Sequence, residues 1–410
     1  MTATLDTTNT GPLQGIRVVE MGIWVAGPAA AAVLGDWGAD VIKIENPAGG
    51  DPIRGLLALG IPVDLPVNPT LELDNHNKRS VAVNIQTPGG REILRRLLRT
   101  ADVFVTNFRT AALQRVGLSY ADLRTEYPRL IYAAISGYGT RGPEKDRAAY
   151  DYAAFWARAG AMASLGEPDG PPPSQRPAMG DHPTGLALAG AVSAALYHRE
   201  RTGQGQEIHL SLFQFGMWMM ATDIETYLTT GVLPQLPPGR QVINPLWNHY
   251  RAKDGRWFHL VMLQSDRYWP GLCSAIERPD LRDDARFDSV VARAQNHRDL
   301  IALLDAVFAT RTCAEWGDAF DQQGLVWAPV QTVQEVTQDP QARALGAFAK
   351  VPHPSGADIE VVRSPVEFGA TPATIRRTGP QLGEHTEEVL LEHGYSWDEI
   401  AVLKEQGAIG

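Results

Sequence analysis

The feature that most constrains this chain is a β-branched run, an alanine-rich segment and a second β-branched run, all within residues 16–45. Ile16-Arg17-Val18-Val19-Glu20 reads as a strand. Pro28 then opens an alanine-rich stretch that Gly38 closes, the proline-then-glycine punctuation of a helix. Ala39-Asp40-Val41-Ile42-Lys43-Ile44-Glu45 reads as the next strand. So short a β-α-β unit requires adjacent parallel strands and a right-handed crossover. Further strands are expected at 80–85, 103–106 and 130–136. The intervening segment 91–100 reads as a helix, because Ile93, Leu94, Leu97 and Leu98 recur at helical spacing while its arginines form a solvated face. The fold class is α/β, a doubly wound parallel sheet. Such a sheet takes its ligand at the carboxyl ends of its strands, here in loops 22–28, 45–55 and 106–110.

Punctuation follows the sheet. Residues 139–147 and 166–180 read as loops, the second holding eight Gly or Pro in fifteen positions. A helix is expected over Asp181 to Arg201, ended by Thr202-Gly203. Residues 231–245 (GVLPQLPPGRQVINP) read as a linker, since proline-rich chain resists helix and central strand alike. Beyond it, Trp257 to Met262 reads as a strand, and helical segments run to about residue 325. This is a second, smaller α+β module. Another linker-like segment covers Trp327 to Thr337, and the C-terminal residues mix short strands with a final helix from about Glu384.

Composition removes several classes of function. A chain of 410 residues with 44% hydrophobic and 20% charged residues has ample material for a core. The 37 Lys+Arg against 47 Asp+Glu give a net charge of −10, which repels nucleic-acid backbones, and no basic run offsets it. Cys273 and Cys313 lack metal-ligand spacing, and so low a cysteine count fits a reducing cytoplasm. The N-terminal MTATLDTTNT reads as a polar tail rather than a signal peptide. The apolar stretch Leu186 to Tyr197 is shorter than the about 20 residues a bilayer span needs. The expectation is a soluble cytoplasmic protein without nucleic-acid or membrane partners and without a metal.

Motifs narrow the chemistry further. The first strand-to-helix turn, Gly22 to Pro28, lacks the spaced glycines of a dinucleotide fingerprint. No P-loop, HExxH, GxSxG or CxxC is present. Asp181 stands where a loop meets a long apolar helix, in Gly180-Asp181-His182-Pro183-Thr184-Gly185. A carboxylate there is kept ionised by backbone N–H groups and the positive helix end. It serves either as a helix N-cap or as a nucleophile toward an activated acyl group. His182 and His198 lack spaced partners and read as structural or surface residues. The aromatic and methionine cluster Phe213 to Met220 reads as core or as part of an apolar substrate wall. Asn77-Lys78-Arg79 reads as a solvated turn or as cations for a phosphate.

These residues also carry a resemblance. Val25-Ala26-Gly27-Pro28 and Leu34 to Glu45, then Asn77 to Val81, Ala101-Asp102-Val103, Asn107-Phe108, Ile135 to Gly139, Thr202 to Gln206 and Leu382 to Thr386 together resemble the family III CoA-transferases. This is the CaiB/BaiF family, which also contains α-methylacyl-CoA racemases. The resemblance runs from Leu13 to about Gly394. It implies a Rossmann-like large domain over 1–205 completed by 331–410, a linker over 206–245 and a small domain over 246–330. It also implies two chains threaded into an interlocked homodimer, with extended chain at 206–245 and 326–340. No cofactor is permanently bound; coenzyme A enters as acyl-CoA substrate, with a carboxylic acid as the other partner.

On this resemblance Asp181 is the catalytic nucleophile, forming first a mixed anhydride and then an aspartyl-CoA thioester. Coenzyme A contacts are implied at Val25, Ala26, Asn46, Asn84, Gln86, Asn107, Phe108, Arg109, Arg115, Arg147 and Tyr150, with Arg115 on a nucleotide phosphate. Two positions depart from the family: a basic residue is common where Asn46 stands, and a lysine where Gln86 stands. Arg54, Arg109 and Arg147 are the candidates to compensate. The formyl-CoA:oxalate members carry glutamine at the Val25 position, tryptophan at Leu56 and a glycine run in the small domain. None is present, so oxalate is not the expected acceptor. The alternative within the family is a 2-methylacyl- or 2-arylacyl-CoA racemase. Racemisation needs two opposed bases, and the racemases place a histidine where Tyr150 stands, a phenol with an ordinary pKa of about 10. A non-catalytic CoA-binding protein is the third reading.

Overall fold

The computed structural model describes residues 11–55, 67–167, 170–233 and 240–410. The N-terminal ten residues, Leu56 and part of the 231–245 segment lie outside the described residues. The chain divides into two compact units. One comprises Met1–Ala163, Pro173–Glu225 and Ala344–Gly410; the other comprises Ser164–Pro172 and Thr226–Arg343.

The larger unit is built on six parallel strands in the order β3-β2-β1-β4-β5-β6. These are β1 (Arg17–Met21), β2 (Asp40–Glu45), β3 (Lys78–Ala82), β4 (Val103–Thr106), β5 (Ile131–Ser136) and β6 (Glu207–Ser211). Alternate residues of each strand feed opposite layers, as the pleat requires. Val18, Val41, Val103, Val105 and Ile131 pack under α1 (Ala26–Asp36) and a long helix, Asp181–Thr202. Val19, Ile42, Phe104 and Tyr132 face the other way, onto Ile93, Leu94 and Leu97 of α3 (Pro88–Leu98) and onto Val389 and Leu390 near the C-terminus. The alanine stripe of α1 is there to let the long helix approach. A Cβ at Gly185 would lie 2.9 Å from the Ala26 carbonyl oxygen.

The smaller unit contains an antiparallel sheet, β7 (Trp247–Arg251), β8 (Trp257–Val261) and β9 (Trp327–Pro329), in that order. Its core is aromatic: Phe258, Phe308, Trp316 and Phe320 are buried together. A separate hairpin, β10 (Phe348–Pro352) and β11 (Asp358–Val362), belongs to the larger unit.

Three expectations are corrected. Residues 206–230 are not extended linker: they form β6 and the helices Leu212–Met219 and Ala221–Thr230. The alternation Ile208/Leu210 was a strand signal that the proline-rich stretch after Gly231 obscured. The segment from Trp327 holds β9 and a helix, Val333–Gln338, rather than a linker. Trp218 and Met219 are not core; they are 73% and 60% exposed in this chain.

Asn77-Lys78-Arg79 is neither a solvated turn nor a phosphate site. All three are buried, and Lys78 and Arg79 begin β3. Arg79 is occupied by Asp40 at 2.8 Å and by Glu392 at 2.9 Å. Lys78 joins a buried ionic quartet. Its Nζ lies 2.7 Å from Glu20 Oε2; Lys43 Nζ lies 2.9 Å from Glu20 Oε1 and 3.0 Å from Asp51 Oδ2. Two cations thus balance two anions. Lys43 faces two carboxylates, which hold its pKa above the ordinary value against the penalty of burial. Burial wins at Lys78, whose pKa falls to about 8.

The quartet also fixes the β1–α1 loop. Lys43 Nζ donates to the Gly22 carbonyl at 3.2 Å and Lys78 Nζ to the Pro28 carbonyl at 2.9 Å, gripping both ends of the segment. Asp51 Oδ1 accepts the Trp24 N–H at 2.9 Å, where Trp24 holds a left-handed φ of 64°. Removing one member of a buried ion pair strands the others without compensation. Lys43→Met is therefore expected to destabilise the larger unit by about 3–5 kcal/mol in urea unfolding. The loss should be smaller in Lys43→Met/Asp51→Asn, where the carboxylate stranded by the loss of Lys43 is also removed, Glu20 keeping Lys78 at 2.7 Å.

Candidate functional site

β1 lies between β2 and β4, so the connections leaving β1 and β4 diverge. A crevice opens at such a switch point, at the carboxyl ends of the strands. Here it is a cavity of about 370 Å³. Ile23 to Ala26 line it after β1, Asn107 to Thr110 after β4, and Ile135 to Gly137 around the end of β5. Lys145, the Arg147 to Tyr150 segment, Asp181 and Leu212 complete the wall.

The cavity gathers Val25, Ala26, Asn107, Phe108, Arg109, Arg147, Tyr150 and Asp181 from the expected site residues. Asn107 ties the two loops together: its Oδ1 accepts the Ile23 N–H at 3.0 Å and its Nδ2 donates to the Ile23 carbonyl at 2.7 Å. Tyr150 packs edge-to-face against Trp24, with centroids 5.6 Å apart. Arg147 is paired with Glu144 at 2.7 Å, and Arg109 stands at the N-cap of α4 (Thr110–Arg115).

Four expected residues are not brought to this wall. Asn46 closes a turn on the Ala48 N–H, and the Asn84 side chain engages the Gln86 N–H and the Gly407 carbonyl. Gln86 is exposed, and Arg115 ends α4 on the exposed surface. Arg54 does not compensate, because Glu45 takes its guanidinium at 2.6 Å. Sequence reasoning missed Lys145 and Trp24. Lys145 lies in a loop read only as punctuation; its place beside the basic Arg147 was the available signal.

Asp181 differs from its expected state. Gly180 is the N-cap of the long helix, and Asp181 is the first helical residue. Among the described residues its carboxylate has no hydrogen-bond partner. Desolvation, reinforced by the nearby Asp151 charge, outweighs His182, and its pKa rises to about 7. Gly180 explains how two carboxylates come so near. A Cβ there would meet Phe155 Cγ at 2.8 Å and Asp151 Cβ at 3.0 Å, and Asp151 Oδ2 accepts the Gly180 N–H at 3.2 Å. On the other flank His182 Nε2 lies 3.0 Å from Asp74 Oδ1, so His182 is not partnerless as its spacing suggested. A carboxyl that titrates near neutrality in a crevice has the character of a nucleophile or base.

Among the described residues there is no group of three or more His, Cys, Asp or Glu able to hold a metal, and no helix long and apolar enough to cross a membrane. Cys273 and Cys313 are both free and buried.

Comparison with known proteins agrees with this geometry. The sequence profile of CoA-transferase family III matches residues 13–386. The (R)-2-hydroxy-4-methylpentanoate CoA-transferase of Clostridioides difficile is 35% identical over 97% of this chain and 99% of its own length. The cinnamoyl-CoA:phenyllactate CoA-transferase of Clostridium sporogenes is 35% identical over 97% of each chain. The crystal structure of a CaiB/BaiF family protein from Brucella suis superposes with a TM-score of 0.83 at 31% identity, covering 94% of this chain and all of that one. The chain belongs to CoA-transferase family III, and it is an enzyme of the CoA-transferase class.

The raised pKa of Asp181 has a consequence for stability. Its folded-state pKa of about 7 lies above the ordinary 3.8, so the ionised carboxylate disfavours the fold. That cost is absent below pH 3.8 and grows as pH rises toward 7. Asp181→Asn is therefore expected to be more stable than wild type at pH 8, by about 1–4 kcal/mol, with the difference vanishing near pH 4. Chemical denaturation at the two pH values measures it.

Proposed function

We propose that this family III enzyme moves coenzyme A from an acyl-CoA thioester to a carboxylic acid with Asp181 as its nucleophile. The observation that carries the reading is that the Asp181 carboxylate opens into the same cavity as Val25, Ala26, Asn107, Arg109 and Arg147. In the proposed reaction an Asp181 oxygen attacks the thioester carbonyl. The C–S bond breaks, coenzyme A leaves as thiolate and a mixed anhydride remains. The thiolate attacks the aspartyl carbonyl, the C–O bond breaks and the donor acid departs, leaving an aspartyl-CoA thioester. The acceptor carboxylate then attacks that thioester, and the same two steps in reverse deliver the new acyl-CoA and restore Asp181.

A partly buried nucleophile suits this sequence. The anhydride and the aspartyl thioester would both be lost to water, so the carboxylate must sit where water is scarce. The desolvation that excludes water also raises Asp181 to about pKa 7, making it a stronger base than an exposed carboxylate while leaving it half ionised at neutral pH. Arg109, Lys145 and Arg147 at the wall offer positive charge for the phosphates of the nucleotide. Arg115, outside the wall, is replaced in this role by Lys145.

The two curated relatives are named for a branched 2-hydroxy acid and for aryl acids. With the apolar wall around Asp181, they support a branched or aryl carboxylic acid as a partner of this enzyme. The working form is a cytoplasmic homodimer of interlocked chains.

Asp181→Asn should fold and bind coenzyme A yet lose CoA transfer by at least about a thousandfold, because an amide cannot form the anhydride. Hydroxylamine added during turnover of the wild type should mark the peptide containing Asp181, read by mass spectrometry. Near-wild-type transfer by Asp181→Asn would refute the assignment. The rate should also fall as pH drops through about 7, where Asp181 takes up its proton. In sedimentation the protein should run at about 90 kDa, twice the 44.7 kDa chain, and resist dissociation on dilution. A stable monomer would refute the interlocked form.

A further inference from the structure

Asp181 lines the cavity at the switch point, and the next residue, His182, lines a second one of about 430 Å³. Its walls are mostly aliphatic: Ala29 and Val33 of α1, Leu73 of α2 (Pro69–Asn75) and Leu186 of the long helix. The space exceeds the roughly 150 Å³ of a cavity that accommodates a benzene ring. The exposed Arg363 belongs to the same lining and supplies a cation that attracts a carboxylate.

Two histidines border this cavity, and their hydrogen bonds differ. His76 has both ring nitrogens engaged, Nε2 with Asp36 Oδ1 at 2.7 Å and Nδ1 with the Glu72 carbonyl at 3.0 Å. His182 has one engaged, Nε2 with Asp74 Oδ1 at 3.0 Å, and its side chain is 39% exposed. Asp74 itself is 1% exposed, so the ring is held from beneath by a buried carboxylate. An ionised carboxylate only accepts, so Nε2 carries the proton of that bond and Nδ1 is left for a ligand. Neutral His182 presents a lone pair at Nδ1, and protonated His182 presents an N–H. A hydroxyl serves both states, since it donates and accepts.

Resting on the transferase reading above, we propose that this cavity receives the hydrocarbon part of the acid that reacts at Asp181, and that His182, held by Asp74, hydrogen-bonds a hydroxyl beside its carboxyl. The ligand class is a carboxylic acid with a branched aliphatic or aryl group and a 2-hydroxyl. An acid of the same shape lacking the hydroxyl leaves His182 Nδ1 covered without a partner, and a site built around a hydroxyl discriminates strongly against that analogue.

The test is direct binding, measured by calorimetry on Asp181→Asn protein so that no turnover intervenes. The probes are 2-hydroxy-4-methylpentanoate and 4-methylpentanoate, with coenzyme A as the control for an intact fold. The hydroxy acid is expected to bind at least about tenfold tighter than its analogue, a difference of about 1.4 kcal/mol. Adding His182→Leu should abolish that preference. Adding Leu186→Trp, which narrows the cavity while leaving the His182 ring nitrogens in place, should weaken both acids by about tenfold or more. Coenzyme A affinity should change by less than about twofold in both variants. Binding of neither acid, a hydroxyl preference that survives His182→Leu, or acid affinity unmoved by Leu186→Trp would each overturn the proposal. Should the binding pattern hold while wild-type protein transfers no CoA, the pocket stands and the transferase assignment of Asp181 falls.

Discussion

Four buried charges, Glu20, Lys43, Asp51 and Lys78, hold the functional face of the larger unit in place. Each would be costly to bury alone. They are tolerable because strand register sets them side by side: Glu20 of β1 lies opposite Lys43 of β2, and Lys78 opens β3 beside Val41. From that base the Gly22 and Pro28 carbonyls and the Trp24 N–H are all gripped, so the grip runs from the end of β1 into the first turn of α1. The left-handed Trp24 costs about 1–3 kcal/mol of backbone strain, which persists only because the surroundings over-determine it. The crevice wall is therefore fixed by bonds that need no ligand, as a site that positions its substrate requires.

Asp181 is built on the opposite logic. The quartet compensates every buried charge, whereas Asp181 is placed beside a second carboxylate and given no hydrogen bond. Gly180 makes this possible, since any side chain at that position would push Asp151 and Phe155 away. His182 opposes the shift and loses to desolvation. One carboxylate is thus left uncompensated at the expense of stability, while the charges of the quartet are paired.

The five strands up to residue 136 and the helices α1 and α3 were legible because pattern and punctuation agree there: β-branched runs, Pro28, Gly38, and the helical spacing of Ile93 to Leu98. The short helices Pro69–Asn75 and Thr110–Arg115 carried no such agreement and were not read. Asp181 was legible as a pre-placed carboxylate, but its state was not. Its register at the helix start shifted by one residue, since Gly180 took the cap, and the partner that raises its pKa, Asp151, lies across a loop. Lys78 and Arg79 misled for a similar reason. A charge triplet before a strand reads the same whether solvated or paired, and one partner of Arg79, Glu392, is 313 residues away. The reach of Asn84 and Arg115 was equally invisible, because both are decided by tertiary placement and not by neighbours in sequence. The strand over Glu207–Ser211 lay beside a proline-rich stretch that drew the whole region into an expected linker.

One residue step along the helix separates two chemically different spaces. Successive residues of an α-helix point about 100° apart, since 3.6 residues make a turn. Asp181 and His182 can therefore face different cavities without any loop between them. The cavity of Asp181 carries Arg109, Lys145 and Arg147, which suits a polyanionic nucleotide; that of His182 is aliphatic, which suits a small acid. In the proposed reaction one thioester is exchanged for another by way of mixed anhydrides, so the activated acyl group survives only while water is kept from it. What the turn must provide is a carboxylate both partners can reach and water cannot. Partial burial of Asp181 beside Asp151 favours the second condition, and its place at the first residue of the long helix, on the wall of the crevice, favours the first.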